Sequence, residues 1–126
     1  EREAVLPEEK SAIASVFLNR LSAGMPLESD PTVQYALGWD AKTQTWWETS
    51  LTQEDLSIIS PYNTYLVNGL PPTPICSVGV DSLVAVAFPQ QTPYLYFRSA
   101  CDGSGSHVFA ETYEEQQSNA CPSLEK

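Results

Sequence analysis

Residues 62–75 read Tyr-Asn-Thr-Tyr-Leu-Val-Asn-Gly-Leu-Pro-Pro-Thr-Pro-Ile, and no other stretch restricts the fold as strongly. Three prolines, one glycine and two tyrosines in fourteen residues cannot form a regular helix or a central strand. Each proline fixes φ and removes a hydrogen-bond donor, so the segment is expected to be a stiff, pre-shaped wall. Tyrosine adds flat apolar faces with a polar tip. Such a wall suits a cleft for a flat polar polymer, such as a sugar chain.

The other elements follow from periodicity and capping signals. Ile13, Val16, Phe17 and Leu21 recur at helical spacing, which predicts a helix over about 8–22. Pro7 stands at its start, and Gly24 is placed as its C′ residue. Asp30-Pro31 is read as an N-cap and N1 pair opening a short helix to Gly38. Residues 39–50, with Trp39, Trp46 and Trp47, are expected to be a surface loop. Thr52 and Asp55 form a capping-box pattern ahead of a helix to about Ile59. Asp81 is read as the cap of a helix in which Leu83, Val84, Val86, Ala87 and Phe88 are mostly buried. Residues 94–99 and 106–110 are predicted as paired strands around the turn 102–105. Thr112 should cap a final helix to about Asn119. The fold class is α+β: several short helices and a small antiparallel hairpin, in one domain over 1–126.

The net charge is −10, and the six basic residues are scattered. That argues against nucleic acid and against an anionic membrane surface, both of which need a basic patch. The sequence contains no apolar run long enough to span a membrane and no ligand cluster with zinc spacing. Cys101 and Cys121 flank the hairpin and the last helix. A disulfide there would suit an extracytoplasmic location, and two buried thiols are the alternative. Cys76 is expected to be a small buried thiol.

A second run, Asn19-Arg20-Leu21 leading to Gly24-Met25-Pro26-Leu27-Glu28-Ser29-Asp30-Pro31-Thr32-Val33-Gln34-Tyr35, joins the first in order and spacing. With 93–97 (PYLYF) and 105–109 (GSHVF), the chain from Glu1 to about Gln117 resembles the YceG-like, or MltG-type, family of endolytic lytic transglycosylases of bacterial peptidoglycan. The resemblance implies a lysozyme-like cleft, no cofactor and a site on the extracytoplasmic face of the cell membrane. Peptidoglycan glycan strands would be the substrate and cell-wall synthases the partners. It also implies a longer protein, with a membrane anchor and a further domain ahead of this region.

Enzymes of this kind cleave the β-1,4 bond between N-acetylmuramic acid and N-acetylglucosamine without water, closing a 1,6-anhydro ring. One carboxyl group suffices, whereas ordinary glycosidases use two. Glu1-Arg2-Glu3 matches the family's catalytic triplet, which implies Glu1 as the acid/base and Glu3 as the second choice. The α-ammonium beside Glu1 lowers a carboxyl pKa, so the chain as it stands is expected to be weak or inactive. Asn19, Arg20, Gln34, Tyr35, Tyr62, Asn63, Thr64, Tyr65 and His107 are the candidate substrate contacts. Five of them have a plainer reading: Arg20 pairing with Asp30 and pinning its loop, Tyr35 as core, Asn63 and Thr64 satisfying a turn, His107 as a structural residue. His107 is expected to be exposed to the cleft. Trp46 and Trp47 extend a glycan platform or cover the core. Gln116-Gln117 stands where the family often has His-Asn, which puts in doubt a binding role for the tail helix. A non-catalytic glycan-binding module is the competing reading. Pyridoxal-phosphate lyase chemistry lacks a phosphate cradle near Lys10, Lys42 or Lys126.

Overall fold

The computed structural model describes residues 1–47 and 51–121. The chain folds as two compact units, Glu1–Asn19 with Val78–Lys126, and Arg20–Ser77. Among the described residues the elements are α1 (Lys10–Ser22), α2 (Asp30–Leu37), α3 (Gln53–Leu56), α4 (Val80–Ala87), β1 (Tyr96–Ser99), β2 (His107–Ala110) and α5 (Tyr113–Ser118). This is the expected α+β mixture of short helices and one antiparallel hairpin.

In the first unit, a 3-10 turn over Pro7–Glu9 leads into α1. Ala12, Ile13 and Val16 are buried on one face of α1, as their spacing requires. β1 pairs with β2 in the register Tyr96↔Ala110 to Ser99↔His107. Aromatics pack the hairpin: Phe97 of β1 meets Phe17 of α1 edge-on at 5.7 Å, and Tyr94, just ahead of β1, stacks on Phe109 of β2 at 5.4 Å. Edge-to-face and offset contacts of this kind suit the ring quadrupoles. The hairpin turn needs Gly105, whose φ is +79°; a Cβ there would meet Val5 Cγ1 at 2.9 Å. Thr112 and Glu115 form a reciprocal capping box at the start of α5. Cys101 and Cys121 are disulfide-bonded, with Cα atoms 5.3 Å apart, and Cys76 is a half-buried free thiol.

α4 departs from expectation in two ways. Its N-cap is Gly79, so Asp81 lies inside the first turn. Its buried stripe consists of the small residues Ser82 and Ala85, while Val80, Leu83, Val84, Val86 and Phe88 are exposed, Phe88 at 77%. Small side chains three apart allow close packing along that stripe, and the remaining apolar residues of a two-turn helix then face outward.

In the second unit, Gly24 at φ +68° ends α1 as its C′ residue, and its amide bonds Leu21 O at 3.2 Å. α2 is N-capped by Ser29, one residue ahead of the expected Asp30, and Pro31 occupies N2. Asp30 is free of the capping role because its carboxylate accepts from Tyr65 Oη at 2.6 Å. Thr52 and Asp55 form the expected capping box on α3, which ends at Leu56. The loop after α2 is tighter than an open surface loop: Asp40 bridges Thr45, and the Asp40 carboxylate accepts from Lys42 N and Thr43 Oγ1. Residues 48–50 of that loop lie outside the described residues.

Candidate active site

The Glu1 carboxylate lies against the N-terminus of α4. Its Oε2 accepts from the Gly79 amide at 3.2 Å and from the Ser82 hydroxyl in a short hydrogen bond. Lys10 Nζ, from the first residue of α1, is 3.9 Å away. Ser82 is buried, whereas the Glu1 side chain keeps a third of its surface open. An acidic group 81 positions away thus does what a capping side chain would do, completing the first turn of α4 where the helix dipole favours negative charge. The Ser82 hydroxyl and then the Gly79 amide hold the Glu1 carboxyl below its ordinary range. Partial burial pushes the other way, and Lys10 and the α-ammonium add smaller downward contributions. A carboxylate that accepts two hydrogen bonds is stabilised in its charged form. Glu3 is half-buried.

His107 is not exposed to a cleft. Its ring is 94% buried by side-chain area, and Nδ1 lies 2.7 Å from Glu9 Oε2. The His107 amide donates to Glu9 Oε1 at 3.0 Å. Glu9 therefore ties β2 to the start of α1. Burial raises the Glu9 pKa, but the amide, ring hydrogen bond and charge of His107 together outweigh it and leave the carboxyl below its ordinary range. A carboxylate with a depressed folded-state pKa contributes stability above its unfolded value, near 4.3, and that contribution is lost as pH falls through the folded value. The Glu9→Gln variant is accordingly expected to show a smaller fall in melting temperature between neutral and acid pH than the parent, measured by circular dichroism.

Asn19 is also structural: its Nδ2 donates to Thr92 O and Tyr94 O, each at 2.9 Å, fixing the approach to β1. Arg20 is 94% buried and pins the loop after α1 through Pro26 O at 2.8 Å and Glu28 Oε2 at 3.0 Å. Among the described residues it pairs with the Glu28 carboxylate rather than that of Asp30. Glu28 has φ +50°, a left-handed conformation that costs energy for a residue with a Cβ. The Arg20 ion pair and a Glu28 amide bond to Thr64 O at 3.1 Å hold it there.

Thr64 joins the two signature runs of the sequence. Its Oγ1 accepts from Ser29 N at 3.0 Å and shares a hydrogen bond with Thr32 Oγ1 at 2.8 Å. Asn63 is fully buried; its Nδ2 donates to Leu56 O and Ile58 O, and its Oδ1 accepts from Tyr65 N. These side chains therefore face inward and brace the wall. Of the remaining candidates Tyr35 is 40% exposed, Tyr62 and Tyr65 are half-buried, and the Tyr35 and Tyr62 rings lie 4.9 Å apart. Tyr62 Oη bonds Thr73 Oγ1 at 2.8 Å. Gln34 is half-buried beside them in α2. Ser82 carried no sequence signal, because a lone serine in an apolar helix is not distinctive.

The sequence model of the YceG-like family matches residues 1–121, across both units. The chain belongs to the YceG-like family. It is 43% identical over 115 residues to the endolytic murein transglycosylase of Bacillus subtilis strain 168, covering 91% of this chain and 29% of that protein. It is 32% identical over 122 residues to the endolytic murein transglycosylase of Streptococcus pneumoniae strain D39, covering 94% of this chain and 21% of the relative. The crystal structure of a YceG-like protein from Listeria monocytogenes superposes with a TM-score of 0.81 at 41% identity, over 95% of this chain and 36% of that one. The YceG-like chain thus spans less than a third of the length of these curated relatives.

Proposed function

We propose that this YceG-like chain carries the catalytic centre of a peptidoglycan lytic transglycosylase acting at the outer face of the bacterial cell membrane beside cell-wall synthases, with Glu1 as its single acid/base. The observation that carries the reading is the Glu1 carboxylate held by Gly79 N and Ser82 Oγ at the head of α4, in a family whose curated relatives are named endolytic murein transglycosylases. In the first half of the reaction protonated Glu1 gives its proton to the glycosidic oxygen, and the muramyl C1–O bond breaks. The resulting carboxylate takes the proton of the muramyl 6-hydroxyl as its oxygen bonds C1. The proton passes from O6 to the leaving oxygen by way of Glu1, no water is consumed, and the 1,6-anhydro ring closes. Tyr35 and Tyr62, paired in the second unit, are the candidate sugar-binding rings. Arg20, Asn19, Asn63, Thr64 and His107 keep the loops and strands in place.

The acid form must be populated for the first step. A sugar that covers the open third of Glu1 removes water and favours the neutral carboxyl, opposing the hydrogen bonds that lower its pKa. Ser82 is a positioning residue that sets this balance. In Ser82→Ala the leading contribution that lowers the Glu1 pKa is gone, so the pKa rises. The alkaline fall of kcat, where Glu1 loses its proton, is then expected to move to higher pH, with a drop of about tenfold in the maximum as orientation is lost. A Ser82→Ala profile that falls at the parent's pH would show that Glu1 is not the titrating acid.

The depressed Glu1 pKa favours a second reading, a glycan-binding module without turnover. It retains Tyr35 and Tyr62 and does not need Glu1, so Glu1→Gln leaves its only activity, binding, intact.

A further inference from the structure

The second unit holds a cavity of about 560 Å³ lined by Tyr35, Trp46, Trp47 and Ile75, within the size range of small-molecule sites. We infer that this hollow is a saccharide subsite that binds the apolar face of a neutral N-acetylated pyranose of the glycan strand, with Trp46 as its stacking platform. The inference rests on the transglycosylase reading for the identity of the strand.

The rings of the hollow are held in position before any ligand arrives. Trp46 follows Thr45, which is bridged to Asp40, and meets Trp39 edge-to-face at 5.7 Å across that bridge. Gly38, at φ +80°, lies close to the indole: a Cβ there would be in ordinary contact with Trp46 Cζ3, 3.9 Å away. Tyr35 is set by Tyr62, which is in turn bonded to Thr73 of the proline wall. Despite this support Trp46 remains 56% exposed, so much of the indole is not used by the core. Aromatic rings of this kind present a large rigid apolar surface at low entropic cost.

Among the described residues, none that lines the hollow is charged. A carboxylate-bearing stem peptide would find no counter-charge in this lining. A pyranose presents axial C–H bonds to a ring face and keeps its hydroxyl groups at the rim, and its N-acetyl methyl offers a further apolar contact.

The test uses the full polypeptide that the source encodes and follows tryptophan fluorescence and calorimetry with two probes, chitotetraose and amidase-stripped murein glycan strands. Trp46→Ala is expected to weaken both by about tenfold, the order that truncating an aromatic anchor of a binding site costs. Ile75→Glu, which puts a charge into the hollow, is expected to do the same, and Trp46→Phe to restore most of the affinity. Glu1→Gln should leave both affinities unchanged, and removal of the stem peptides or addition of salt should not weaken them. Unchanged affinity in Trp46→Ala and Ile75→Glu overturns the subsite, as does binding that needs the stem peptides. Anhydro products from the parent together with such unchanged affinity would sink the subsite alone. Trp46-dependent binding without anhydro products would uphold the subsite and sink the transglycosylase reading.

Discussion

Replacing Glu1 by Gln is expected to lower murein cleavage by about 10²–10⁴-fold, the range for loss of a positioned general acid/base. Glutamine keeps the shape of the side chain and can still accept from Gly79 N and Ser82 Oγ, so the head of α4 stays closed. It cannot donate and recover a proton. The loss should therefore appear in kcat, with KM and glycan affinity nearly unchanged, the pattern of an interaction made only in the transition state. Glu3→Gln is the control, and full activity is expected to remain. The assay belongs in the full polypeptide that the source encodes, where any residue joined to Glu1 replaces the α-ammonium that otherwise lowers its pKa.

Asn63→Ala is expected to destabilise the fold by about 3 kcal/mol in urea unfolding, because it strands several buried polar groups at once. The side chain satisfies two carbonyl oxygens, of Leu56 and Ile58, and one amide, of Tyr65, at 2.9–3.0 Å. Asn63→Asp separates shape from donation. It still accepts from the Tyr65 amide but turns an acceptor toward both carbonyls, so it too should be strongly destabilising. If Asn63 served the substrate instead, both variants would keep their stability and lose affinity for glycan strands.

What could be read from the sequence follows the range of the interactions. The box of Thr52 with Asp55 and the cap at Thr112 close within one turn, so their residues announce them. The hairpin was legible for the same reason: aromatic runs on either side of a glycine-rich turn. The burial of α4 was not, because an apolar composition does not say which stripe finds a neighbour, and here Ser82 and Ala85 do. Asp30 shows how a local rule loses to a distant partner. Its carboxylate answers Tyr65 rather than the helix it opens, and Ser29 becomes the cap. In the candidate site the residue types were visible while most of their directions were not. Asn63, Thr64 and His107 are polar residues in a turn-rich context, yet each is satisfied internally by groups brought close only by the fold. The pairing of Glu1 with Ser82 spans 81 positions and has no local signature.

The chemical form of the new glycan end separates a transglycosylase with Glu1 as its acid/base from every alternative. Mass spectrometry of murein digested by the full polypeptide, with Glu1→Gln alongside, reads it directly. Fragments ending in 1,6-anhydro-muramic acid, absent from the variant digest, are the predicted result. Fragments ending in a reducing sugar, or anhydro ends that persist in Glu1→Gln, would contradict it.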